Sequence, residues 1–86
     1  MSYTLRVPKY LEKEILRLKK RDSETHKELF RKVDRILSDP HHFSHPLRSR
    51  YKGVWETHIG NKVLFYKIDE ATRTVELVNL IDHDLL

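Results

Sequence analysis

The chain has 86 residues, 38% of them hydrophobic and 35% charged, with a net charge of +4. That length allows one domain over residues 1–86 with a single small core, and the apolar content is too high and too periodic for a disordered chain. It has no cysteine, which excludes disulfides and thiolate metal sites. No run reads as a signal peptide or a bilayer span, so the expectation is a soluble, cytoplasmic protein.

Tyr3 to Val7 alternate weakly and predict a short first strand. Pro8 stops it and suits the first turn of a helix. From Lys9 to Lys20, Leu11, Ile15 and Leu18 recur at helical spacing, with a narrow apolar face. Asp22 or Ser23 can cap a second helix. Its wider stripe is Leu29, Phe30, Val33, Ile36 and Leu37, and Asp39-Pro40 ends it. Almost nothing joins the two helices, which predicts an antiparallel hairpin.

After Pro40 the period changes to two. Residues 41–53 are polar and basic and predict a loop, with room for a short strand near Leu47. Val54 to Ile59 form a strand, Gly60-Asn61 is a two-residue hairpin signal, and Lys62 to Ile68 form the partner. Arg73 to Ile81 make the last strand, with Val75, Leu77, Val78 and Leu80 available to both faces. The parts assemble as an α+β fold of order β-α-α-β-β-β. A small antiparallel sheet carries the N-terminal helical hairpin on one face.

The charge is unevenly placed. Residues 1–52 hold 14 Lys/Arg against 7 Asp/Glu, or +7, and residues 53–86 hold 3 against 6, or −3. A basic front half fits a polyanionic partner or a solvated helical surface.

Six histidines are many for this length. His26 suits a helix surface. His41, His42 and His45 lie on an irregular stretch without a matching carboxylate or cysteine, so no metal and no other cofactor is expected. His45, His58 and His83 head the basic loop, end a strand and follow the last strand. Gathered into one cleft, two or three imidazoles can run metal-free RNA cleavage. One takes the proton of the substrate's 2′-OH, another protonates the leaving 5′-oxygen, and a cation steadies the phosphorane. The alternative is that they hydrogen-bond loop carbonyls. Arg48, Arg50 and Lys52 alternate and can face one phosphate row. Tyr51 and Trp55 can stack on splayed bases, although a half-buried strand Trp such as Trp55 more often belongs to a core.

The runs His45-Pro46-Leu47, Tyr51-Lys52-Gly53, His58-Ile59, Val63-Leu64-Phe65-Tyr66-Lys67 and Leu80-Ile81-Asp82-His83-Asp84-Leu85 resemble the YafQ branch of the RelE/ParE toxin superfamily. The likeness covers essentially the whole chain and implies the toxin of a type II toxin–antitoxin pair. Such a toxin cleaves mRNA in the ribosomal A site and is silenced by a cognate antitoxin. The resemblance implies His45, His58 and His83 as the catalytic set, with His83 a general acid or base. Arg48, Arg50 and Lys52 would hold phosphate.

The chain also departs from that branch. Lys62 stands where the branch has an acidic residue, Asn79 where it has an arginine, and the chain stops at Leu86 where it has an aromatic. Lys62 is the expected substitute cation, although lysine does not reproduce arginine's bidentate fork. The competing expectation is a binding protein that keeps the fold without cleavage, either a ParE-like topoisomerase inhibitor or a degenerate toxin.

Overall fold

The structure is a computed structural model that describes residues 3–41, 45–46 and 53–85, with residues 45, 46 and 85 described by backbone alone. In chain order it holds β1 (Thr4–Arg6), α1 (Lys9–Arg21), α2 (Ser23–Ser38), β2 (His45–Pro46), β3 (Val54–Ile59), β4 (Lys62–Asp69), β5 (Thr74–Asp82) and a 3-10 turn at His83–Leu85. No helix among the described residues is long and apolar enough to cross a membrane.

One residue makes the helical hairpin. The Asp22 backbone N–H closes α1 by donating to the Leu18 carbonyl at 2.8 Å. Its carboxylate opens α2 by accepting from the Thr25 amide at 3.2 Å and the Thr25 hydroxyl at 2.6 Å. Its φ of −150° and ψ of 82° are not helical, so the chain must break there. Leu11, Ile15 and Leu18 of α1 and Leu29, Val33 and Ile36 of α2 are buried, whereas Leu16 is 61% exposed. The narrow and wider stripes are as the spacing predicts.

The sheet order is β1-β5-β4-β3-β2. The α+β class and the helical hairpin on one face stand. The sheet differs from the wholly antiparallel expectation because β1 pairs parallel with β5, through Thr4–Thr74, Leu5–Val75 and Arg6–Glu76. The predicted short strand is β2, paired to β3 at His45–Glu56 and Pro46–Trp55; Leu47 lies outside the described residues. Gly60 takes φ +59° in the β3–β4 turn, a backbone that glycine adopts without strain. Its amide donates to Glu28 of α2 at 3.2 Å.

Register divides the strands into two faces. Trp55, Thr57 and Ile59 of β3 lie beside Tyr66, Leu64 and Lys62 of β4, on the side of the helices. Ile59, Leu64, Tyr66, Val75 and Leu77 join the helix residues in one core. Tyr66 is fully buried and its hydroxyl donates to the Pro40 carbonyl at 2.9 Å. Glu56, His58, Val63, Phe65 and Lys67 occupy the opposite face by alternation.

β5 carries one irregularity. Leu80 pairs with Leu64 and Asn79 with Phe65, but the next β4 residue, Tyr66, pairs with Leu77. Val78 is therefore an extra residue, a β-bulge. Before it, odd-numbered residues face the helices; after it, even-numbered ones do. Leu80 accordingly packs on the core, and Ile81 falls beside Val63.

The Asp22 carboxyl is held below its ordinary value, first by the Thr25 hydroxyl and then by the Thr25 amide. A depressed carboxylate adds stability that is present above its unfolded pKa and lost as pH falls through the folded value. Thermal unfolding followed against pH should therefore show stability falling below about pH 4. Asp22→Asn, which keeps the accepting oxygen, should flatten that limb, and Asp22→Ala should lower the melting temperature at neutral pH as well.

Candidate active site on the open sheet face

His58 lies on β3 two residues before the Gly60 turn, exposed on the face away from the helices. His83 begins the turn that follows β5, and its backbone N–H donates to the Asn61 carbonyl at 2.8 Å. The hairpin tip thus fixes where the last strand ends. The two rings come together, with centroids 5.4 Å apart and planes tilted by 44°. Val63 and Ile81 lie cross-strand beneath them, and Val63 is fully buried. Two imidazoles over an apolar floor can hold a donor and an acceptor at neighbouring positions, which is what acid–base chemistry on one small group requires.

The remaining predicted residues divide. The backbone of His45 pairs with Glu56, two residues along β3 from His58. Arg48, Arg50, Tyr51 and Lys52 lie outside the described residues. Asn79 is exposed on the histidine face, opposite Phe65, and its side-chain oxygen accepts from the Leu80 amide at 2.9 Å.

Lys62 is not brought to the pair. Its register beside Ile59 and Asp82 sets it on the helix side of the sheet, where it is ion-paired to Asp82 at 2.5 Å. Glu14, Arg17 and Arg21 of α1 line the same cleft. The reason is parity: Ile59 and Lys62 flank the two-residue turn and share the helix side, whereas His58 pairs with Val63 on the opposite face.

Trp55 lies on the helix side of the sheet. It shares the side of Thr57 and Ile59, packs on the core, stacks on Tyr66 at 6.5 Å and 20°, and meets the edge of His41 at 5.1 Å. His41 in turn contacts Glu70 at 2.5 Å. The Glu70 carboxyl is held below its usual range, first by the Tyr3 hydroxyl and then by His41.

Two features were missed at the level of sequence. Glu56 is a half-buried carboxylate on the histidine face, and its place two residues from His58 was a legible signal. The Val78 bulge decides which face His83 reaches, and only the partner strand reveals it.

A profile of the ParE toxin of type II toxin–antitoxin systems matches residues 2–84. RelE4 of Methanocaldococcus jannaschii is 34% identical over 86 residues, spanning 95% of this chain and 87% of that protein. The chain belongs to the ParE toxin family, and thus to the RelE/ParE superfamily of type II toxin–antitoxin toxins.

Among solved structures, the toxin–antitoxin complex RelBE2 from Mycobacterium tuberculosis superposes with a TM-score of 0.81 at 19% identity, covering 95% of this chain and 99% of that one. The Escherichia coli DinJ–YafQ complex gives 0.64 at 22%, covering 98% and 97%. Both show the shared fold.

If Trp55 belongs to the core rather than to an RNA surface, its fluorescence should stay unchanged on titration with RNA oligonucleotides and red-shift on unfolding. Trp55→Leu should cost about 1–3 kcal/mol in chemical denaturation, as loss of partly buried aromatic packing does. It should leave RNA affinity unaltered.

Proposed function

We propose that this toxin is a metal-independent endoribonuclease that cuts mRNA in the ribosomal A site, in the cytoplasm. The single observation that carries this reading is the His58–His83 pair. The substrate's 2′-oxygen attacks the adjacent phosphorus, and the bond from phosphorus to the 5′-oxygen breaks. One imidazole accepts the 2′-OH proton and the other supplies a proton to the departing 5′-oxygen. The products are a 2′,3′-cyclic phosphate and a 5′-OH, and no water or cofactor is consumed in the step.

His45 completes the set in this proposal, since its backbone pairs two residues from His58 along the adjoining strand. Arg48, Arg50 and Lys52 hold the phosphate, as their alternation in the basic run suggests. The histidine pattern and the flanking runs are what support an affinity with the YafQ branch. A cognate antitoxin is the second proposed partner, and the solved RelBE2 toxin–antitoxin complex, with its closely similar fold, supports it.

Induced expression in a bacterial host should arrest growth and produce new mRNA 5′ ends bearing hydroxyls. With purified ribosomes and message, His83→Ala or His58→Ala should lower the cleavage rate by about 10²–10⁴-fold while the protein stays folded. Co-expression of the antitoxin should restore growth. Arrest with intact mRNA would instead establish the non-cleaving, ParE-like reading.

A further inference from the structure

The extra residue in β5 controls where His83 goes. Val75 and Leu77 face the helices. Uninterrupted alternation would send residues 79, 81 and 83 to that same side, into the packed layer. The bulge at Val78 reverses the phase, so Asn79 lies opposite Phe65 and Ile81 opposite Val63 on the open face. His83 then arrives 5.4 Å from His58.

A bulged residue has no place in the ladder, so its backbone needs a partner elsewhere. Here that partner is a side chain. The Tyr10 hydroxyl, from the first turn of α1, donates to the Val78 carbonyl. Tyr10 is otherwise a poor occupant of its position. It is a large side chain left 58% exposed, and it falls outside the stripe of Leu11, Ile15 and Leu18 that holds the helix to the sheet. Its contact with the bulge is the one that relates it to the site.

We propose that Tyr10 is a positioning residue: its hydroxyl holds the Val78 bulge in the register that delivers His83 to His58. The proposal rests on the nuclease reading for its consequence in catalysis, but not for its geometry.

Tyr10→Phe removes only the hydroxyl from a mostly exposed side chain, so the fold survives. Two measurements on the full chain test the idea. By NMR, the nuclear Overhauser contact between the ring protons of His58 and His83 should weaken or vanish in Tyr10→Phe. Hydrogen exchange of the Asn79 and Leu80 amides should accelerate, while exchange in α2 stays unchanged. In the ribosome assay, kcat should fall by about ten- to a hundred-fold with KM unaltered, the scale expected when a catalytic group is misplaced by an ångström or so. An undiminished contact between the two rings overturns the proposal, whatever the rate does. A lost contact in a protein whose wild type never cleaves RNA would uphold the positioning role and discard the nuclease reading.

Discussion

A single insertion in strand phase governs this molecule. β4 is the central strand, paired on both sides, and it has regular alternation: Leu64 and Tyr66 toward the helices, Val63 and Phe65 away. β5 must first supply Val75 and Leu77 to the core and afterwards carry a histidine to the other face. A strict period of two cannot do both within nine residues. The extra Val78 resolves the conflict, and core packing and site assembly become successive duties of one strand. A bulge is tolerated here because β5 has only the three-residue β1 on its far side, paired at residues 74 to 76. Among the described residues, no second strand pairs with β5 where its phase changes.

The two faces explain why some polar and aromatic residues do not serve the site. Trp55 and His58 are three residues apart on one strand and so lie on opposite sides of it. Trp55 is absorbed into a chain of contacts from Tyr66 through His41 to Glu70 and Tyr3. That chain ties α2's end and β1 to the β4–β5 turn. Lys62 is likewise held by Asp82, closing the opposite end of the sheet. Both residues sustain the scaffold on which the histidine pair sits.

Most of the local architecture was legible. The helical spacing of Leu11, Ile15 and Leu18, the capping chemistry of Asp22 and the Gly60-Asn61 turn are short-range signals, and each is read from a few neighbouring residues. What was not legible is long-range. Nothing in Thr4-Leu5-Arg6 announces a parallel partner some seventy residues away, because no turn links them. The apolar pair Leu77-Val78 reads as well as a strand buried on both faces as it does as a bulge, and only β4's register separates these. Histidine alone did not identify the site either. Of the three imidazoles singled out, the two described side chains meet because a hairpin tip and a strand end are bonded through Asn61 and His83, a contact that no spacing encodes.

The electrostatics of the open face assign different tasks to different parts of the chain. Among the described residues, that face presents Glu56, two residues from His58, and at the far end of the strands Glu76 with the cations Arg6 and Lys67, Arg6 being ion-paired to Glu76 at 3.6 Å. Lys67 lies four residues along β4 from Val63, roughly 13 Å away at strand rise, too far to steady charge on a phosphate held between His58 and His83. A phosphorane is doubly anionic, and unaided imidazoles beside a carboxylate would not favour it. On the proposed nuclease reading, the compensating charge is assigned to another segment. The run Arg48, Arg50, Lys52 begins two residues after β2 in the sequence, and β2 pairs with β3 at Glu56, two residues from His58. On the proposed nuclease reading, proton transfer falls to residues on paired strands, where geometry must be exact, and charge neutralisation to the basic run, since attraction to phosphate acts over a longer range.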